Sequence, residues 1–292
     1  MALDHVSRVR RFNRAVTAEV GALDSSFLGR GRPLGAARVL NAIGRGIGDV
    51  AGLRDYLGLD SGLASRLLRG LEQEGLVETV PHADDGRRRV VRLTRAGQRE
   101  FRVYEDLSDH QAQAMLARHP RPEELLAAMD LVASALGRDR IDLVETPPDA
   151  DAARHCLQAY YAELASRFKG GFEVSRSRDP QARDMIRPRG TFVVALSDGL
   201  PLGCVGLKGG GNASAEIKRL WVSPAARGLG LARRLMAAAE EAARELGIDL
   251  LRLDTNGAAL PEASRFYRAT GWTEIPRFNE DPYPDLFFEK RL

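Results

Sequence analysis

Cysteine is nearly absent from this chain: of 292 residues only Cys156 and Cys204 carry thiols. Each stands alone, in neither a metal-type spacing nor a disulfide framework, so both are read as reduced structural residues and no metal is expected. Long apolar runs are missing too. Nothing approaches the roughly 20 residues that a membrane-crossing helix needs, and the opening MALDHVSRVRRF has no hydrophobic signal core. A cytoplasmic protein with no membrane partner is therefore expected. A dominant charge is lacking as well: 43 Lys and Arg face 40 Asp and Glu, for a net +3, and the two signs nearly balance in each half. Any contact with nucleic acid must come from a local cluster, because overall charge supplies no general attraction. What remains, at 44% hydrophobic and 28% charged, is an ordinary globular composition with length enough for two domains.

The most informative stretch is AEIKRLWVSPAARGLGLARRLM, residues 215–236. A β-rich run ends at Trp221 and Val222, a Ser-Pro turn follows, and Arg227-Gly228-Leu229-Gly230-Leu231-Ala232 opens a helix rich in Ala, Leu and Arg. Glycines at 228 and 230 let a phosphate approach the backbone, and the first turn of a helix offers unpaired N–H groups at the positive end of its dipole. A ligand carrying a pyrophosphate is expected. The run lacks the Gly-Lys-Ser/Thr of a Walker loop, and it lacks the third glycine and later acidic residue of a dinucleotide fingerprint.

Arg227, Gly230 and Ala232 instead fill the pattern Arg/Gln-x-x-Gly-x-Gly/Ala, which resembles the acetyl-coenzyme-A loop of the GNAT superfamily of N-acetyltransferases. Residues 263–272, ASRFYRATGW, are similar to that superfamily's A-x-x-F-Y-x-x-x-G-F signature, with Trp272 in place of the last Phe. Around these lie a hairpin signal at Ser197-Asp198-Gly199 between runs 190–196 and 201–208, a strand over 247–256, and a helix from Pro261 to a stop at Gly271. The resemblance implies an α/β mixed-sheet acetyltransferase domain over residues 139–292. It also implies acetyl-coenzyme A as co-substrate, a small amine or amino acid as acceptor, and backbone groups of Leu220, Trp221 and Val222 turned to the pantetheine and acetyl oxygen. The amides from Arg227 through Gly228, Leu229, Gly230 and Leu231 to Ala232 would hold the pyrophosphate, and Asn256 the pantetheine arm. Tyr267 would protonate the departing thiolate, and Glu216, eleven residues before Arg227, would relay the amine proton. A helix carrying Tyr160, Tyr161, Leu164 and Phe168 either lines the substrate side or faces the core. Acceptor choice should rest on the loop after Phe172 and on the tail with Phe278, Tyr283, Phe287 and Phe288.

The first half reads differently. Val6, Val9, Phe12, Val16, Val20 and Leu23 recur every three or four residues, predicting an amphipathic helix, and residues 34–43 predict a second. Asp49 and Asp60 precede two further helices joined by Gly58-Leu59, the signature of a helix-turn-helix. On the latter helix Leu63, Leu67, Leu68 and Leu71 form the inward stripe, leaving Ser61, Ser65, Arg66 and Arg69 for major-groove and phosphate contacts. Strands over 76–80 and 89–93 flank a turn at 83–86, a β-wing whose tip carries Arg87, Arg88 and Arg89.

Residues 85–94, DGRRRVVRLT, match the D-x-R-x-x-x-V-x-L-T wing motif of the MarR family of winged-helix regulators, which this half resembles. That resemblance implies a mainly α winged helix-turn-helix domain over residues 1–138, with Asp85 and Arg87 paired in the wing. It implies a homodimer built from the first helix and the runs 95–118 and 122–136, bound to double-stranded DNA at a palindromic operator. The expected whole is a bifunctional N-acetyltransferase fused to a transcriptional regulator. Two alternatives stand beside it: a regulator whose acetyltransferase fold only senses acetyl-coenzyme A or a metabolite, and an acetyltransferase that uses the winged helix solely to dimerise.

Overall fold

The computed structural model describes residues 4–81, 89–168, 170–176, 184–209 and 214–292, and these fall into two compact units, Met1–Pro122 and Glu123–Leu292. Sequence reasoning places the junction at 138/139; by compactness the helix that begins at Pro122 groups with the second unit.

The first unit opens with α1 (His5–Glu19), whose N-cap Asp4 accepts the amides of Val6 and Ser7, and no residue of this helix is buried. Helix α2 (Leu34–Gly44) is the opposite case: Val39, Leu40 and Ala42 are fully buried and form the centre of the core. Helices α3 (Val50–Leu57) and α4 (Ser61–Gln73) begin at Asp49 and Asp60, whose carboxylates take the amides of Gly52 at 3.0 Å and Leu63 at 2.9 Å. The turn between them needs a left-handed residue, and Gly58 supplies it at φ 65°. Toward the core α4 buries Ala64, Leu68 and Leu71; Leu63 and Leu67 are only half-buried.

Strands β1 (Val77–Pro81) and β2 (Arg89–Leu93) pair antiparallel from Val77↔Leu93 to Pro81↔Arg89. Val91 donates to the carbonyl of Gly48 at 2.8 Å, tying this ribbon to the α2–α3 turn. Helix α5 (Arg95–Ala117) then starts from Thr94, whose hydroxyl caps Gly97 and donates to the carbonyl of Gly75 at 2.6 Å.

The second unit contains α6 (Pro122–Leu136), β3 (Ile141–Glu145), α7 (Asp151–Arg167), β4 (Thr191–Ser197), β5 (Leu200–Gly209), β6 (Ser214–Val222), α8 (Leu231–Glu245), β7 (Leu250–Thr255), α9 (Pro261–Ala269), β8 (Thr273–Ile275) and β9 (Leu286–Arg291). Its seven strands lie in the order β3-β4-β5-β6-β7-β9-β8, all neighbours antiparallel except β6 and β7. Side chains alternate across a strand, and here both faces are covered. Val193 and Ala195 pack with Leu235 and Ala239 of α8, while Phe192 and Val194 pack with Ala153, Cys156 and Leu157 of α7. Cys156 and Cys204 are both buried and free. Among the described residues no helix is long and apolar enough to cross a membrane.

The crowding around two glycines yields a test of the first unit. A Cβ at Gly97 would lie 1.9 Å from the carbonyl oxygen of Leu76, whereas one at Gly70, inside α4, would meet nothing within 4 Å. Gly97→Ala should lower stability by about 1–3 kcal/mol through forced displacement of backbone. Gly70→Ala should raise it by roughly 0.5–1 kcal/mol through reduced chain entropy. Thermal melting of the two variants beside the parent checks both signs.

Candidate functional site

Strands β6 and β7 are paired at only three positions, Ser214↔Leu250, Ala215↔Leu251 and Glu216↔Arg252. Beyond these the ladder stops, although β6 runs on to Val222 and β7 to Thr255. Backbone groups on the facing edges are thereby left without sheet partners, which in a protein interior calls for a ligand or water. The β5–β6 register also slips between Cys204 and Gly206, where Arg219 adopts φ 58°. A non-glycine residue there marks a bulge that re-aims the strand.

A cavity of about 660 Å³ fills the opening, a size suited to a ligand-binding cleft. Leu220, Trp221 and Val222 line it from β6, and Asn256 and Tyr267 from the opposite side. Arg227, Gly228, Gly230, Leu231 and Ala232 also line it, whereas Leu229 turns to pack against the core. Gly228 and Gly230 have φ 81° and 78°, which side-chain-bearing residues rarely adopt, and α8 starts from Gly230 without a side-chain cap. Among the described residues nothing accepts a hydrogen bond from the amides of Gly228, Leu229 or Gly230. These amides, with the helix start behind them, form a concave patch of positive potential matched to phosphate oxygens.

The side chains around the patch are more heavily engaged than the motif alone implies. Arg227 bonds Glu163 at 2.6 and 2.8 Å and donates to the carbonyl of Val222 at 3.1 Å. Glu163 also receives Trp221 Nε1 at 2.9 Å and Arg167 at 2.5 Å. Burial pushes the Glu163 carboxyl up, but its bonds from Arg227 and Trp221 outweigh this and hold it below the usual carboxylate range. Sequence reasoning did not single out Glu163, although its four-residue spacing from Arg167 on one helix was a readable ion-pair signal.

Glu216 does not line the cavity. It lies at the last paired position and contacts Lys218 at 3.1 Å. Lys218, nearly buried, reaches across to Asp254 at 2.6 Å, and the same Asp254 oxygen receives Asn279 Nδ2 at 2.6 Å. Lys218 and Asp254 both line the cavity, and neither was singled out from the sequence. Asn256 has little left to give: its Nδ2 donates to the carbonyl of Tyr283 and its Oδ1 accepts Ala259 N–H, both at 2.8 Å. Tyr267 is 6% exposed, ringed by Phe266, Trp272 and Phe288 at centroid distances of 5.6–6.1 Å. Burial, followed by the nearby Tyr160 and Asp254, raises its phenol well above the ordinary range. Its hydroxyl has no hydrogen-bond partner among the described residues. Tyr160 also lines the cavity, with burial pushing its phenol up to about 12.

In the first unit Ser61, Arg66 and Arg69 are exposed on α4, and Ser65 is half-buried. Arg69 folds back on the Ser65 hydroxyl at 3.0 Å. Arg89 is exposed at the start of β2; Arg87 and Arg88, with the Asp85–Arg87 pair, lie outside the described residues.

Comparison with known proteins agrees with this geometry. Residues 157–272 match the acetyltransferase (GNAT) family model, and residues 30–88 match that of the MarR family. An uncharacterized N-acetyltransferase of Schizosaccharomyces pombe is 31% identical over 155 residues, 51% of this chain and 91% of the relative. The chain belongs to the GNAT family of acetyltransferases. An aminoalkylphosphonate N-acetyltransferase of Salmonella typhimurium is 29% identical over 48% of this chain and 93% of its own length. A GNAT-family crystal structure from Staphylococcus aureus aligns with TM-score 0.46 at 19% identity, covering 52% of this chain and 98% of that one. The protein is thus an N-acetyltransferase with acetyl-coenzyme A as co-substrate, joined in one chain to a MarR-type winged helix. The amides at the α8 start and the gap between β6 and β7 fit that co-substrate, the one as a cradle for pyrophosphate and the other as a slot with unpaired backbone groups for the pantetheine.

The loop conformation makes a binding prediction. Gly230→Val forces a β-branched residue to φ 78° and should weaken coenzyme-A binding at least tenfold by calorimetry, whereas Gly170→Ala, in open space, should leave it unchanged.

Proposed function

We propose that the protein is bifunctional: its second unit transfers acetyl from acetyl-coenzyme A to the nitrogen of a small amine, and its first unit binds a palindromic operator in double-stranded DNA as a homodimer. The observation that carries the catalytic half is that the buried Tyr267 lines the same cavity as the unpaired loop amides. In the transfer a neutral amine attacks the thioester carbonyl, the N–C bond forms, the C–S bond breaks, and a proton must leave the nitrogen while another reaches the thiolate. A phenol carries its proton at neutral pH, so Tyr267 has one to give to the thiolate; burial raises it further and makes it a weaker donor, so its support comes from position on the cavity and not from acidity. For the base, Asp254 lines the cavity and Glu216 does not, so Asp254 is the better-placed carboxylate. The Salmonella relative's name, an aminoalkylphosphonate N-acetyltransferase, supports a small-molecule acceptor over a protein one.

For the regulatory half, Ser61, Arg66 and Arg69 present hydroxyl and guanidinium groups from the second helix of the helix-turn-helix, with Arg89 at the base of the wing. Homodimerisation is supported by α1, whose Val6, Val9, Phe12 and Val16 are 65, 58, 45 and 40% exposed. Such an apolar stripe on a helix with no buried residue is a surface for association. These groups belong with a cytoplasmic location, where both DNA and acetyl-coenzyme A are found.

Release of free thiol from acetyl-coenzyme A, measured against a panel of amines and amino acids, tests the enzyme. Tyr267→Phe should lower kcat on the order of 10- to 100-fold with coenzyme-A affinity intact. Asp254→Asn should lower turnover more than Glu216→Gln; the reverse order would return the base role to Glu216. A separate check is sedimentation of Phe12→Asp, which should shift a dimeric parent to monomer and abolish operator binding; a parent that sediments as a clean monomer would remove the dimer.

A further inference from the structure

The cavity carries four carboxylates in its lining, Glu163, Asp254, Glu262 and Asp281, and three of them have cationic partners. Glu163 is held by Arg167 and Arg227, Asp254 by Lys218, and Glu262 by Arg167. Asp281 has no ion pair among the described residues. It is 8% exposed, and its Oδ1 accepts a single N–H, from Tyr283, at 3.3 Å. The Arg277 guanidinium donates to the backbone carbonyl of Asp281 at 2.9 Å and makes no ion pair with its carboxylate; a nearly buried carboxylate without an ion-pair partner is costly, and a cationic ligand would supply one.

Beside Asp281 the wall is aromatic. Phe172 and Tyr283 lie with ring centroids 4.7 Å apart, and Phe168 meets them at 5.9 and 5.6 Å, edge-on to Tyr283. All three line the cavity. The group is fixed in place: Tyr283 Oη accepts the amide of Glu173 at 2.9 Å and donates to its carbonyl at 3.4 Å, pinning the segment after α7 to the segment before β9. Of the lining cations, Lys218 and Arg227 are held by Asp254 and Glu163, Arg219 lays its guanidinium over the Tyr161 ring at 5.2 Å, and Arg233 is exposed in the first turn of α8.

We propose that the acceptor is a primary amine borne on an aromatic body, its ring seated against Phe168, Phe172 and Tyr283 and its ammonium drawn to Asp281, the ammonium giving one proton to water before the neutral amine attacks. The proposal rests on the N-acetyltransferase reading and names the substrate class for that site. Ring-on-ring contact and a carboxylate near π faces together recognise an arylalkylammonium ion. An amino acid fits less well, because its own carboxylate would enter a wall that already holds Asp254 and Asp281.

Calorimetric titration with 2-phenylethylamine, n-butylamine and phenylalanine tests this, with coenzyme A titrated separately into each sample. 2-Phenylethylamine should bind at least tenfold tighter than either competitor. Phe172→Ala should erase that margin while leaving n-butylamine and coenzyme A unchanged, and Phe172→Tyr, which keeps the ring, should retain it. Asp281→Asn, which keeps the acceptor for Tyr283 N–H, should weaken both amines several-fold. Equal binding of butylamine or phenylalanine, or indifference to Phe172→Ala, overturns the proposal. Ring-selective binding without thiol release would support the amine site and sink the transfer reading instead, which separates the two failures.

Discussion

The second unit is organised by one broken ladder. Had β6 and β7 stayed paired to their ends, the sheet would be closed and its polar edges satisfied; three paired positions and a bulge at Arg219 instead leave an opening walled by backbone. Arg227, the glycines of the loop, Asp254 and Tyr267 all border that opening. The parallel pairing forces a crossover, and the crossover is α8, so the helix start with its unpaired amides falls at the carboxyl end of β6, beside the place where the strands part. Beyond β7, α9 brings Tyr267 to the other wall. The loop amides proposed for the pyrophosphate, the gap proposed for the pantetheine and the phenol thus share one topological origin, and α8 is secured by the burial of Leu231, Leu235, Met236 and Ala239 beneath the sheet.

Charge is handled with similar economy inside the cavity. Glu163 gathers Arg227, Arg167 and Trp221, and Lys218 bridges Glu216 and Asp254. Pairing of this kind keeps partly buried ions from standing alone, and it orients Arg227 while leaving the loop amides free. A pyrophosphate arriving at the loop would meet an arginine whose charge is already shared with a carboxylate. Binding there therefore depends more on the backbone amides and the helix start than on Arg227 as a free cation.

Much of this was legible in the sequence, for identifiable reasons. Short motifs that require particular backbone conformations read directly: Gly228 and Gly230 for positive φ, Asp49 and Asp60 as helix caps, Gly58 in the turn. The hairpin, the strand before Asn256 and the helix carrying Tyr267 followed from periodicity and punctuation, whereas the mixed sheet came from the resemblance and its strand order only from the structure. Long-range polar pairings could not be read in this way. Asp254 meets Lys218 because two distant strands run side by side, and Asn256, read as a ligand group, is taken up by Tyr283 and Ala259 because the chain returns over it. Trp272, standing where the family signature has Phe, packs beside Tyr267 with its indole N–H unpartnered, so the ring's size and not its polarity suits the site.

The placement of Glu216 shows where spacing arguments end. Glu216 and Lys218 share a face of β6, since side chains alternate with a period of two. The opening begins only after Glu216↔Arg252, so Glu216 sits at the last rung and Lys218 stands two residues further on, roughly 7 Å along the strand. A carboxylate at the rung is screened from the cavity by the lysine beyond it, whereas the β7 residue that faces that lysine, Asp254, is on the lining. An offset counted from Arg227 fixes position along one strand. Where the neighbouring strand departs decides whether that position is wall or cleft, and that depends on how far a second strand, more than thirty residues away in sequence, keeps its register.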